Sequence, residues 1–306
     1  MAYPLRMFIP GLGYFVTVRC VQARYLLRPS TETNEVLGGV LARAARRFEV
    51  EVFAFAFQSN HLHLLVRAPR GNLPGFMQFV LGNTARKVGF LVRWDCSFWE
   101  RRYSAEPVLD EEALVGRLRY ILSQGVKDGL VRRVRDWPGL NCLRMLVRGS
   151  RRSFPWFSWS KRWSSRKGRM AKERFDPRWV ERETLQLVVL PQWANLSQKR
   201  RARRVLELVR SVEIEAEAMH ERVLGREAVL AQHPHHRPAR PERSPRPLCH
   251  ATRASTRQAY IDGYRAYVTE YRSASLRYRR GELGVVFPLG AFRPFLWPQG
   301  YPALAA

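Results

Sequence analysis

Cysteine is scarce in this chain: four in 306 residues, Cys20, Cys96, Cys142 and Cys249, with no CxxC pair. That scatter excludes a disulfide scaffold and a paired-thiolate zinc module, and it fits free thiols in a reducing compartment. No apolar run approaches the roughly 18 residues that cross a bilayer. The opening MAYPLRMFIPGLGYFVTV lacks both a long apolar h-region and a small-residue cleavage site. No signal peptide is expected from it, and the expected location is the cytoplasm, in bacterial fashion beside the nucleoid. No internal repeat is evident. Acidic residues are also few, 26 Asp and Glu against 53 Lys and Arg, for a net charge of +27.

Such an imbalance makes a chain repel itself, so it points to a polyanionic partner. Nucleic acid is the first candidate, because each phosphate neutralised releases counterions. Arginine outnumbers lysine, and its planar fork suits bidentate phosphate contacts and stacking. A GC-rich genome explains a high Arg/Lys ratio but not the net excess. At 46% hydrophobic residues the chain can also bury a core.

Tyr14 to Cys20 alternates and is β-branched, which predicts a strand. Thr33 to Phe48 has helical spacing at Val36, Leu37, Val40, Leu41 and Ala44. Glu51 to Phe57 predicts a strand with Phe53, Phe55 and Phe57 on one face. Ser59-Asn60 signals a tight turn, and His61 to Arg67 a second strand. Asn72 to Val92 predicts a helix, Phe98 to Val108 a short irregular strand region. A third helix opens at Asp110-Glu111-Glu112, where acidic residues suit the macrodipole, and runs past Ile121. The expected fold class is α+β. A ferredoxin-like β-α-β-β-α-β antiparallel sheet, with helices on one face, spans 1–150.

The remainder reads as a basic, mainly helical region that carries more than half of the cationic residues. Residues 151–231 begin with an aperiodic basic and aromatic stretch, RRSFPWFSWSKRWSSRKGRMAKER, followed by a helix from Ser197 to Leu230. Residues 232–252, rich in Pro and Arg, predict a disordered linker. Within it, His233, His235 and His236 suggest disorder rather than a metal tract. Residues 253–306 predict a helical segment with Tyr260, Tyr264, Tyr267 and Tyr271 at helical spacing.

The stretch SNHLHLLVRAP stands out. Residues i and i+2 of a strand share a face, so His61 and His63 project together and can chelate one divalent cation. An HxH pair alone is weak. Downstream, RLRYILSQGVKDGLV places Tyr120 and Gln124 at i and i+4 of the third helix. A tyrosine hydroxyl can attack a phosphodiester. A cation beside it polarises the phosphate, and a glutamine oxygen can complete its coordination.

The first half resembles the single-tyrosine HUH transposases, the insertion sequence 200-like group and especially the REP-associated tyrosine transposases. The pieces that carry this are IPGLGYFVTVRC, FQSNHLHLLVRAP, FWERRYSAEPVLDEEALVGRLRYI, GVKDGLVRR and DWPG, in order and spacing. The resemblance implies that His61 and His63 bind metal and that Tyr120 forms a 5′-phosphotyrosine on single-stranded DNA. It also implies Gln124 as third ligand, and Mg²⁺ or Mn²⁺ as cofactor. Relatives often read Asn-Pro-Val where this chain reads Gln124-Gly125-Val126. The implied activity is metal-dependent nicking and strand transfer on single-stranded, hairpin-bearing DNA, with a homodimer allowed.

Arg67, Arg86, Lys87, Arg101, Arg102 and Lys127 are candidates to position phosphates. Trp99 and Tyr103 are candidates to stack on unpaired bases. Three rivals remain at this stage. A domesticated protein would bind structured DNA without cutting. An RRM-like RNA-binding protein would use Phe53, Phe55 and Phe57 as its platform, although no RNP-type run is present. A two-histidine phosphoesterase needs a second HxT/S motif, which is missing.

Overall fold

The structure is a computed structural model that describes residues 5–165, 176–239 and 247–294. Its centre is a four-stranded antiparallel sheet of β1 (Gly13–Arg19), β2 (Glu51–Phe57), β3 (His61–Arg67) and β4 (Ser104–Val108), in the order β2-β3-β1-β4. Helix α1 (Thr31–Phe48) links β1 to β2, α2 (Leu73–Leu91) links β3 to β4, and α3 (Glu111–Ser123) follows β4. This is the split β-α-β arrangement expected from the pattern of apolar residues.

Local chemistry sets the ends of these elements. The Ser30 hydroxyl accepts from the Thr33 amide at 3.0 Å and starts α1 two residues before its apolar period does. The Asp110 carboxylate accepts from the Ala113 amide at 2.7 Å and starts α3, with Glu111 and Glu112 in the first turn. Each satisfies an amide that the helix itself leaves unpaired. The strand expected over 98–108 shortens to Ser104–Val108, preceded by an isolated bridge from Trp99 to Cys20.

Strand register sorts the two faces of the sheet. Thr17 lies opposite His63 and Arg19 opposite His61. Directly opposed residues share a face. Phe15, Thr17, Arg19, His61 and His63 therefore stand together, on the side where the Tyr120 ring of α3 meets Phe15 and His63. The third helix thus lies opposite the face expected to hold all the helices. The alternate set, Val16, Val18, Leu62, Leu64 and Val66, is fully buried on the other face, which the mutually packed α1 and α2 cover. Phe55 and Phe57 oppose Leu64 and Leu62, and with Phe53 they are at most 2% exposed. They are core, so no aromatic platform exists on β2 for RNA bases.

Both sheet edges are closed by chain from beyond α3. Phe57 and Cys142 exchange main-chain bonds with Leu140 and Phe55 at 2.9 and 3.1 Å along β2. His250 bonds to Pro107 and Leu109 at 2.8 and 2.9 Å along β4. Open edges recruit other strands, and here they are occupied.

The region after residue 150 is built onto this core. The stretch that shows no period in sequence contains a strand, β5 (Arg152–Phe157), and a short helix, α5 (Trp159–Ser164). β5 pairs with β6 (Val180–Leu185), and the hairpin packs on α1 at Gly38 and Gly39. The helix expected over 197–230 stops at Met219, where His220 turns extended, and resumes after Gly225 (φ +95°), giving α6 (Gln198–Met219) and α7 (Arg226–Ala231). The C-terminal helix α8 (Ala254–Arg279) holds the N-terminal segment through Tyr264 and Tyr267, which donate to the carbonyls of Leu5 and Arg6. A single apolar cluster includes the sheet, Phe154, Trp156, Val205 and Val209, so the core continues past residue 150. Parts of 232–252 are seated rather than loose. Gln232 accepts from the Ser59 hydroxyl, the His235 ring bonds the Val92 carbonyl at 2.7 Å, and His236 stacks on Tyr25. Composition misses this because rings and carbonyls of the sheet domain supply the partners. Residues 240–246 lie outside the described residues.

Candidate active site

β3 carries both imidazoles, β1 sets Thr17 and Arg19 opposite them, and α3 brings the phenol. The His61 and His63 rings are 4.8 Å apart, centroid to centroid. Tyr120 stands edge-on to His63 at 5.4 Å and to Phe15 at 5.5 Å, and Phe15 stacks on His63 at 5.3 Å. The Lys127 ammonium donates to the Tyr120 hydroxyl at 3.0 Å. Residues 57 positions apart in sequence thus meet on one face of the sheet.

Neighbouring bonds fix which ring nitrogen carries a lone pair. The Asn60 amide group donates to the Ala23 carbonyl at 3.1 Å, which turns its oxygen towards His61. That oxygen accepts from His61 Nδ1 at 2.6 Å, so His61 Nε2 is unprotonated. The Thr17 hydroxyl lies 3.0 Å from His63 Nδ1 and can accept from it in the same way. His63 Nε2 is buried and has no partner. Such bonds to the far nitrogen typically orient a metal-ligating histidine.

Both imidazoles are held neutral. Desolvation first, then the positive charge of Arg19, pushes His61 down to about 3, against an upward effect of the Gln124 amide. Desolvation, then His61 and Lys127, drives His63 well below its ordinary value. Neutral imidazole is the form that binds a cation.

Gln124 is not on the helix face that its spacing suggests. α3 ends at Ser123, and Gln124 is the C-cap with ψ 136°. Its side chain folds back instead, donating through Nε2 to the Tyr120 carbonyl at 2.8 Å. That bond leaves Oε1 facing the two imidazoles, buried and without a well-formed hydrogen bond of its own. Gly125 follows at φ +89°, a conformation glycine adopts freely, and a Cβ there would sit 3.1 Å from the Trp137 ring. The reversal at Gly125 is what lets Gln124 stay with the site while the chain leaves.

The donor set is therefore two imidazole nitrogens and one amide oxygen, with two of the three atoms orphaned in the protein's own bonding. Buried polar atoms are normally satisfied, and exceptions call for a ligand. No group of three or more His, Cys, Asp or Glu side chains suited to a metal occurs among the described residues. That includes the histidines at 233, 235 and 236. The third donor here is an amide, which such a grouping does not contain.

The remaining candidates divide. Lys127 is at the site. Arg86, Arg101 and Arg102 are exposed. Arg67 is paired with Glu51, its guanidinium over the Phe53 ring. Lys87 donates to the Phe157 carbonyl at 3.0 Å and lies over Trp156, which commits it to holding the β5–β6 hairpin. Trp99 is partly exposed with its indole N–H donating to the Leu81 carbonyl, while Tyr103 is 7% exposed beneath Arg6 and has no face free for a base as placed. Sequence reading missed Phe15, Thr17, Asn60 and Arg19. The signal for Phe15, Thr17 and Arg19 was the alternation of YFVTVRC, carried to His63 only by strand register, while Asn60 reads in sequence as a turn residue alone.

Comparison with known families places residues 14–124 in the family described as "Transposase IS200 like". No curated protein matches the chain. Among solved structures, one titled as the REP-associated tyrosine transposase bound to a REP hairpin is 20% identical, over 48% of this chain and 86% of that one, with a TM-score of 0.43. A putative transposase from Deinococcus radiodurans is 21% identical, over 40% of this chain and 98% of that one, with a TM-score of 0.29. The segment that matches the IS200-like transposase model is the one that carries His61, His63, Tyr120 and Gln124.

Proposed function

We propose that this chain nicks and rejoins single-stranded DNA through a covalent 5′-phosphotyrosine on Tyr120, with a divalent cation held by His61, His63 and Gln124. The observation that carries the reading is the pair of buried, unpartnered atoms, His63 Nε2 and Gln124 Oε1, beside a tyrosine whose hydroxyl is bonded by an ammonium. Imidazole is softer than Mg²⁺ prefers, whereas a mixed imidazole and amide-oxygen donor set would suit Mn²⁺ as well. When bound, the cation polarises the scissile phosphate and neutralises charge that develops on it.

The chain's own residues do the rest. Tyr120 Oη forms a bond to phosphorus as the bond from phosphorus to the 3′ oxygen breaks. The phenol proton is lost and the departing 3′ oxygen takes one up, so one phosphodiester is exchanged for another and no water is consumed. Lys127 stabilises the phenolate character that develops during attack. The T-shaped packing of Tyr120 on His63 and Phe15 holds the ring in place before substrate arrives. A free 3′ hydroxyl can run the step in reverse and receive the strand.

The test is a single-stranded hairpin substrate, labelled at either end, with Mn²⁺. A hairpin is chosen because the REP-associated transposase of the solved complex binds one. The expected result is a protein–DNA adduct carrying the label of the 5′-phosphoryl fragment, absent in Tyr120→Phe and in His61→Ala. Tight binding with no adduct from the unaltered protein would sink the nicking reading and leave a structured-DNA-binding protein.

A further inference from the structure

We propose that Arg144, Arg148, Arg151 and Arg152 form a second binding site, a cleft for the phosphate backbone of the single strand that flanks the bond attacked by Tyr120. It rests on the reading that this chain acts on DNA, and adds a subsite outside the residues considered so far.

The four arginines, with Asn141, Met145 and Ser150, line an open cleft of about 460 Å³. All four are exposed, and none forms an ion pair with a described carboxylate. Elsewhere the exposed arginines of this chain often find one, as Arg46 does with Glu183, Arg133 with Glu213 and Arg178 with Asp176. Partial burial first, then the like charge of Arg144, lowers the Arg152 pKa, against an upward effect of Glu35. A single cation at the end of α4 (Leu143–Arg148) would answer the helix macrodipole. Four cations lining one cleft, with no ion pair among the described residues, exceed that need and match a polyanion.

The cleft is held on several sides. The chain turns at Gly149, φ +62°, directly against the Gln198 amide. Gln198 Nε2 donates to the Leu146 and Val147 carbonyls at 3.2 and 3.1 Å, fixing the end of α4 to the start of α6. On the far side, Arg152 begins β5, which packs on α1, and its guanidinium lies 4.7 Å over the Phe154 ring. Guanidinium groups on such a frame lose less freedom on binding than groups on a loose tail.

Register links the cleft to the candidate active site. His63 lies opposite Ala56 on β2, and Ala56 is bridged in turn to Asn141. Asn141 is therefore two strand spacings from His63, about 10 Å across the sheet. Ala56 between them is buried under α3, so a strand whose phosphate sits at His63 and Tyr120 would reach the cleft around α3 rather than across the sheet.

The experiment uses the full chain and a fluorescent single-stranded oligonucleotide, with affinity measured between 50 and 200 mM salt. The double variant R148Q/R151Q keeps polarity and removes two charges. The control R272Q/R279Q removes two exposed arginines of α8. Each single-strand phosphate contact adds about 0.7 to the salt slope, so losing two lowers it by roughly 1.4. At 0.1 M salt that corresponds to about 25-fold weaker binding. The control is expected to leave slope and affinity close to wild type. Adduct formation at saturating DNA is expected to persist in R148Q/R151Q. An unchanged slope in R148Q/R151Q, or an equal change in the control, overturns the proposal. If the unaltered chain forms no Tyr120 adduct yet the slope falls only in R148Q/R151Q, the cleft stands and the nicking reading fails.

Discussion

Replacing Gln124 by methionine is expected to leave the metal-free protein about as stable as before, or more so, while removing most of its response to Mn²⁺. A buried polar residue normally costs stability when deleted. Here the terms run the other way. Gln124 is 3% exposed, and its Oε1 is buried without a partner. Leaving such an atom unpaired costs about 1–3 kcal/mol. The substitution relieves that cost. It also loses the 2.8 Å bond from Nε2 to the Tyr120 carbonyl, worth about 0.5–1.5 kcal/mol. That carbonyl keeps a partner, because the Ser123 hydroxyl donates to it at 2.9 Å. Methionine is unbranched and similar in length, so packing strain is small. The balance runs from about 0.5 kcal/mol against the variant to about 2.5 kcal/mol in its favour. At roughly 2–4 °C per kcal/mol for a chain of this class, Tm without metal stays close to level or rises by several degrees. In the unaltered protein, Mn²⁺ at a hundredfold excess over Kd adds about 2.7 kcal/mol, seen as a further rise in Tm. Scanning calorimetry in chelator and in Mn²⁺ reads both effects in one series. A variant that melts several degrees lower in chelator, yet keeps the full Mn²⁺ shift, would refute the view that Oε1 is held for a cation.

The other predictions concern parts around the site. Lys127→Met removes a charge-assisted bond worth about 1.5–3 kcal/mol, so adduct formation should slow by roughly 10- to 150-fold with little change in DNA affinity, as read by single-turnover gel assay. In Gly39→Ala the new Cβ would lie 2.4 Å from the Pro155 carbonyl oxygen, a main-chain atom that cannot swing away. The gain in helix propensity is about 1 kcal/mol, and the overpacking of about 1–3 kcal/mol outweighs it, so Tm should fall and β5–β6 amides should exchange faster. Lys87 has a pH signature. Desolvation, then Arg43 and Arg86, pushes it down to about 8 from an ordinary 10.5. Between those values the unfolded chain binds the proton and the folded chain does not, so stability should rise with pH from about 8 to about 10.5. Denaturant titrations should show that rise in the unaltered protein and a flatter profile in Lys87→Met.

Much of the sheet domain was legible because its signals are local. The alternation of YFVTVRC and HLHLLVR sets strands, Ser30 and Asp110 start helices, and the even spacing of His61 and His63 puts both on one face. Boundaries moved by a few residues where caps, not apolar periods, decide them. For some DNA-contact candidates the structure shows protein partners that composition cannot reveal. Lys87 and Trp99 look like nucleic-acid contacts in sequence, yet each is bonded to a carbonyl far along the chain. The β5–β6 hairpin escaped notice because its edge faces two glycines of α1, and its strand signal is buried in a basic, aromatic run.

By itself, then, the sequence determined which side chains share a face within one strand or helix, since those periods are fixed by backbone geometry. It determined the charge, and the candidate residues His61, His63, Tyr120 and Gln124. Tertiary structure decided what meets what. It brought Thr17 and Asn60 to the far nitrogens of the histidines and bent Gln124 back onto the carbonyl of Tyr120. It set Lys127 on the phenol and gathered four unpaired arginines beside β2. Those contacts depend on strand register and on where a helix stops, and both are settled by packing across distant parts of the chain rather than by any local pattern.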